Sequence, residues 1–298
     1  MSPKHPHNAH EASKPSQHRE LPAHIQAQLA SAGRATDTAG QPWAGRNLGE
    51  GTSHTHQFPA DDGATEPPVS QALEHFAQGA LSEAELVDAL RDARIFTPVV
   101  AEVSNATITD EGLVSDKEAD MAVVSIQAPD GRKALPVFTS VEHLTQWHPK
   151  ARPVAANMRK AALAAVEDEN QLMVLNPGAD LTFVIRRPAV WAIARADEWI
   201  PSYGNERVQA ELHRIVAEVD GVVAVRGESG QGVASSTADG RRLQGGGPGP
   251  ELKIVLTLVP DLTQDQLNRV LGAVQQFLAS STVFSELVDS IQLALESA

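Results

Sequence analysis

The sequence predicts an α+β protein: a disordered N-terminal tail followed by two mixed α/β domains built on mainly antiparallel sheets. Three observations predict this class. Residues 1–68 are rich in Pro, Gly, Ala, Ser, Thr and His, and carry few branched aliphatics beyond Leu21, Ile25, Leu29 and Leu48. Such a stretch cannot bury enough apolar surface to offset ordering entropy of about 1–2 kcal/mol per residue. From Val69 onward, helical spacing of apolar residues alternates with short apolar runs joined by Pro/Gly turns, the pattern of hairpins between helices. The stretch Gly227 to Pro250 then interrupts the final strand pair with glycines, including the run GGGPGP, and predicts a flexible insertion. The expected domains are therefore 1–68, 69–200 and 201–298, the last of αββαβ order with its insertion at 227–250.

The tail contains one helical hint, Leu21 to Ala32, where Leu21, Ile25 and Leu29 recur every four residues. Ser70 to Gln78 predicts a short helix stopped by Gly79. Ser82 and Glu85 have capping-box spacing for a helix presenting Leu86, Ala89, Leu90 and Ala93. Ile95 to Val103 predicts a strand that Pro98 confines to an edge or to a strand start. An acidic loop, Asp110 to Asp120, leads to a buried strand Met121–Gln127, which Pro129-Asp130-Gly131 turns into Lys133–Phe138. Thr139 and Glu142 suggest a second capping box, for a helix with Val141, Leu144 and Trp147 on its sheet-facing side, Trp147 as a core anchor. Pro153 is expected at the first turn of the next helix. Gln171–Leu175 and Leu181–Arg187 form a hairpin around Asn176-Pro177-Gly178, and Pro188 opens a helix. In the last third, Asn205 caps a helix, and strands Val222–Arg226 and Leu252–Val259 flank the insertion. Thr263 and Gln266 cap a long helix before the strand Ile291–Leu295, with the helices on one face of an antiparallel sheet.

Composition removes several functions. The 298 residues contain no Cys, so disulfides, thiolate nucleophiles and Cys-ligated metals are absent. Lys+Arg 24 against Asp+Glu 38 gives −14, which argues against bulk capture of nucleic acid or anionic lipid. No run of 18 apolar residues predicts a membrane span, and no secretory segment opens the chain, so we expect a cytoplasmic protein. Seven of the 11 His lie in the tail (His5, His7, His10, His18, His24, His54, His56), without a fold to fix ligand geometry. SGQGV and GGGPGP lack the Gly-Lys-Ser/Thr ending of a phosphate-binding loop, and no G-x-S-x-G elbow exists. No catalytic, metal-binding or cofactor residues are assigned.

One junction attracts attention. Phe138, Thr139 and Ser140 stand where a strand turns into a helix, and free N–H groups at such a point can hold an anion. Arg186 and Arg187 end another strand, and either could clamp the same anion. Plain helix capping and ordinary solvated charge are the competing explanations. Glu142 weighs against an anion because it already supplies negative charge there.

The segments LVDALRDARIFTPVV (Leu86–Val100), KEADMAVVSI (Lys117–Ile126), ALPVFTSVEHLTQW (Ala134–Trp147), RPVAANMRKAALAAV (Arg152–Val166) and FVIRRPAVWAIA (Phe183–Ala194) resemble, in that order, the enhanced-serine-sensitivity (SseB) family in its high-GC bacterial form. VDSIQLAL (Val288–Leu295) resembles the end of such proteins, so the likeness spans about residues 80–298. It implies an α+β N-terminal domain and a cytoplasmic bacterial protein, and carries over no catalytic residues. We therefore expect a non-enzymatic binding or regulatory protein with a protein partner. The alternatives are a domain binding an amino acid or other small anion, and an enzyme working through Thr139 or Ser140.

Overall fold

The computed structural model describes residue 58 and residues 61–102, 120–128 and 130–297. The Leu21–Ala32 helix, the seven tail histidines and the acidic loop up to residue 119 fall outside the described residues. Among the described residues, eight α-helices and sheets whose pairings are antiparallel apart from two make the fold α+β.

Capping chemistry sets the first helices. Helix α1 (Pro67–Ala77) starts on proline, whose missing N–H costs nothing in a first turn. Helix α2 (Glu83–Leu90) carries the expected capping box: Ser82 Oγ accepts the Glu85 N–H at 3.3 Å and the Glu85 carboxylate accepts the Ser82 N–H at 2.8 Å. Strand β1 (Arg94–Glu102) is central in a three-stranded sheet, flanked by β2 (Asp120–Val123) and β5 (Arg152–Asn157). Here three expectations are corrected, the first being the place of Pro98, which lies in the middle of a central strand opposite Pro153. Met121–Gln127 is not one buried strand: β2 pairs with β1, β3 (Ile126–Gln127) pairs with β4 (Lys133–Val137) in the next sheet, and Val123 is exposed. Pro153 opens no helix. It faces Pro98 in the β1–β5 register, because proline drives its predecessor Arg152 into extended conformation. The helix α4 (Met158–Glu167) begins later, at Asn157, whose side chain accepts the Arg159 N–H at 3.0 Å.

The second sheet runs β3-β4-β6-β7, with β6 at Leu172–Leu175 and β7 at Phe183–Ile185. Only β4 and β6 are parallel, joined through helix α3 (Val141–Trp147), β5 and α4. The β6–β7 hairpin turns at Asn176-Pro177-Gly178 as expected, with Asn176 at φ 46°. Leu135, Val137, Met173, Leu175, Phe183 and Ile185 face a first core with α1, α2, α4 and α5 (Arg187–Arg195). A second core gathers α6 (Glu206–Glu218), β8 (Val222–Ser229), β11 (Leu252–Leu258), α7 (Gln264–Ser280), α8 (Thr282–Leu287) and β12 (Ile291–Ser297). The sheet there is not purely antiparallel. Strand β12 returns across α7 and α8 to lie parallel to β11, as a helical crossover requires.

The glycine-rich insertion is a structured arm. Strands β9 (Ala234–Ser236) and β10 (Arg242–Gly246) pair antiparallel, and Leu243 is buried in the first core. Its glycines serve close approach instead of looseness. A Cβ on Gly232 would stand 2.0 Å from the Gly249 carbonyl carbon, and one on Gly246 2.4 Å from the Phe183 ring. The described residues from 58 onward belong to one compact unit that contains both cores.

Candidate functional site

The strand–helix junction weighed as an anion site is closed over. Phe138, Thr139 and Ser140 are all buried. Ser140, and not Thr139, caps α3: its hydroxyl accepts the His143 N–H at 3.1 Å, and Glu142 pairs along the helix with Gln146. Thr139 is drawn inward instead. Its N–H donates to Asn176 Oδ1 at 2.9 Å, and the Asn176 amide donates back to Thr139 Oγ1 at 3.1 Å.

Residues 61–66 lie over this junction as a strap, which corrects their assignment to the disordered tail. The Val141 N–H, a free donor of the helix start, goes to the Gly63 carbonyl at 2.9 Å. Thr65 Oγ1 donates to Thr139 Oγ1 at 2.9 Å, and the Glu66 carboxylate accepts the Arg94 N–H at 2.9 Å. The buried Arg94 guanidinium gathers the ends: it donates to the Thr139 carbonyl at 2.8 Å and to the Ala64 carbonyl, and pairs with Asp61 at 3.1 Å. The anion beside this junction is thus the chain's own Asp61. Thr65→Val is expected to lower stability by only about 1 kcal/mol, because Asn176 still satisfies the Thr139 hydroxyl; a urea unfolding midpoint measures it.

Ser140 Oγ also lies 3.0 Å from His143 Nδ1, superficially a nucleophile–base pair. Among the described residues no carboxylate bonds to His143 to orient it, and Ser140 is buried. Capping accounts for the geometry. Trp147 is half-buried; its ring meets Phe138 at 5.3 Å and closes a satellite cluster beside the main core.

Arg186 and Arg187 are elsewhere in the fold. Arg187 donates to the Ser285 and Val288 carbonyls, both at 2.7 Å. Arg186 is among the most buried side chains and clamps the root of the arm. Nη1 donates to the Gly249 carbonyl at 2.9 Å, while Nη2 donates to the carbonyls of Gly232 at 3.1 Å and Gly247 at 2.7 Å. Asp289, its carboxylate fully buried, pairs with Arg186 at 3.3 Å and with Arg132 at 2.7 Å. Sequence reasoning missed the carboxylates around it. Glu251 accepts N–H donors from Ser202 and Asp289, both at 3.0 Å, and burial raises its pKa. Glu83, first residue of α2, is buried under the arm and accepts from the Tyr203 hydroxyl at 3.4 Å and the Gly246 N–H. Burial, reinforced by Glu251 and opposed by Arg186, pushes its pKa up to about 7. Burial and the two carboxylates also raise the Tyr203 hydroxyl's pKa.

One open concavity lies on the outer face of the second sheet. Ala134, Leu172, Val174 and Val184 point away from the first core, and the arm roofs them incompletely. The result is a cleft of about 520 Å³ between two walls, sheet on one side and Ala234, Ser235, Ser236, Gly246 and Pro248 on the other. Among the described residues its only polar side chains are Gln127, Thr182, Ser235 and Ser236, and no charged group lines it. Among the described residues no group of three His, Asp or Glu is placed to hold a metal, and no helix is long and apolar enough to cross a membrane.

Among curated proteins and among solved structures, nothing matches the chain. Residues 69–192, from α1 into α5, match the family model described as SseB protein N-terminal domain.

Proposed function

From the premise that the chain is an SseB family protein through its 69–192 domain, we propose that it acts by binding, and that the cleft between the outer sheet face and the glycine arm seats a small, uncharged, apolar ligand. The cleft's lining carries this reading. Its volume is within the roughly 300–1,000 Å³ usual for small-molecule sites. Aliphatic side chains form the floor, and hydroxyl and amide groups at the rim can orient a ligand. The absence of a cation among the described lining residues favours an uncharged ligand over an anion in the cleft.

Nile red, an uncharged apolar dye, provides the test in a fluorescence titration of the full chain. Val184→Phe places a phenyl ring into the open floor, where there is room for it. We expect at least about tenfold weaker dye binding, equivalent to 1.4 kcal/mol or more, with an unchanged melting temperature. Equal affinity in this variant would put the dye outside the cleft and refute the assignment. An anionic dye of similar size is expected to bind more weakly than Nile red.

A further inference from the structure

We propose that Glu83 is a protonation-dependent latch on the arm: neutral, it keeps Gln244–Gly246 seated and the cleft narrow; ionised, it loosens that stretch and admits the ligand. The latch governs the cleft assigned above and rests on that reading.

The geometry is direct. Gly245 lies so close over Glu83 that a Cβ there would meet the Glu83 Cβ at 2.9 Å and Oε2 at 3.1 Å. The next residue, Gly246, both donates its N–H to the Glu83 carboxylate and lines the cleft. A carboxylate in this position can regain water only if the Gly245–Gly246 step lifts. The flanks hold still, because Leu243 is anchored in the first core and Arg186 grips the Gly247 carbonyl. What moves is therefore short.

Burial favours the neutral form; of the surrounding charges, Arg186 opposes it and Glu251 supports it. Arg186 faces Glu83 from the end of β7, but its guanidinium is already committed to Asp289 and three carbonyls. Glu251 faces it from the head of β11 as a second carboxylate, and Tyr203 from the single-turn helix Ser202–Gly204. The arm presents only glycine backbone at this point. Glu74 and His75 of α1, Arg195 of α5 and Arg242 of β10 are exposed, as are Glu85 and Asp88 on α2 itself.

A carboxyl raised from 4.5 to about 7 favours the closed arm fully below pH 4.5, and that preference is lost as pH rises through 7. The 2.5-unit difference caps the change in arm opening at about 300-fold.

Hydrogen exchange of the Gln244–Gly247 amides in the full chain, corrected for intrinsic rates, tests the latch directly. Between pH 5.5 and 8 we expect wild-type opening to rise by up to about 30-fold, with Nile red affinity rising alongside. Glu83→Gln, a permanently neutral isostere, should hold both flat. A wild-type arm whose opening ignores pH, or a rise that persists in Glu83→Gln, overturns the proposal. Should that variant misfold, a carbon-13 titration of the wild-type Glu83 carboxyl decides it: a midpoint near 7 supports the latch, one near 4.5 ends it. If the dye binds in the cleft at every pH with equal affinity and the amides stay flat, the latch fails and the cleft stands. If the dye never enters the cleft while the amides follow Glu83, the latch stands and the cleft's assigned ligand fails.

Discussion

Replacing Arg186 with methionine is expected to lower unfolding free energy by about 3–5 kcal/mol, the usual penalty for breaking a buried charged pair from one side. Methionine matches much of the volume, so the loss isolates the charge and its donors. Three carbonyls, of Gly232, Gly247 and Gly249, lose their donor in a place water does not reach easily. Asp289 keeps Arg132 at 2.7 Å, which keeps the penalty from growing larger. Arg186→Lys should recover only part of the loss, because a single ammonium cannot reproduce the two-pronged fork. Urea unfolding of the three proteins measures the series. Equal stability of the methionine variant would mean that the arm is held chiefly by Leu243 and strand pairing.

Gly246→Ala is expected to be comparably damaging, at about 2–6 kcal/mol. Two causes add. Gly246 sits at φ 67°, where a side chain costs about 1–3 kcal/mol, and its new Cβ would be 2.4 Å from the Phe183 ring. Phe183 is itself fully buried and packed edge-on against Phe76 at 5.3 Å, so it has nowhere to retreat, and overpacking of this kind costs about 1–3 kcal/mol more. Gly240 provides the contrast. It also has positive φ, 85°, but nothing lies within 4 Å of a Cβ there. Gly240→Ala should therefore lose only the conformational part, and differential scanning calorimetry on the pair separates strain from clash.

Much of the local structure was legible because its causes are local. The Ser82–Glu85 and Thr263–Gln266 capping boxes form as their spacing demands, and Asn205 caps α6 as expected. The Asn176-Pro177-Gly178 turn follows from residues that tolerate left-handed backbone. Misreadings came where two local rules competed. Thr139 and Ser140 are equally good caps, and the choice between them was made by Asn176, 37 positions away, pulling Thr139 inward. Pro153 suits either a helix start or an extended strand, and pairing with β1 decided it.

The cleft had a sequence signal that went unused. The runs ALPV, LMVL and FVI are apolar at every position, which marks strands with two faces to cover. Helices cover one face. The other needed a cover from elsewhere, and the glycine-rich segment supplies it, its lack of side chains permitting backbone to lie against Phe183 and Glu83. Read alone, the same glycines meant freedom of motion. Composition cannot distinguish a glycine that moves from one against which something is packed.

The sequence by itself determined the α+β class, the caps, the turns and the absence of cysteine chemistry, since each depends on residues within a few positions of one another. Tertiary structure alone decided which charges are buried together. Glu83, Arg186, Glu251 and Asp289 lie as far as 206 positions apart in the chain, and each looks like a surface residue in its own local context. The raised proton affinities of Glu83 and Glu251, and the grip of Arg186 on the arm, arise only when two cores close over them, because desolvation belongs to the assembled environment and not to any one segment.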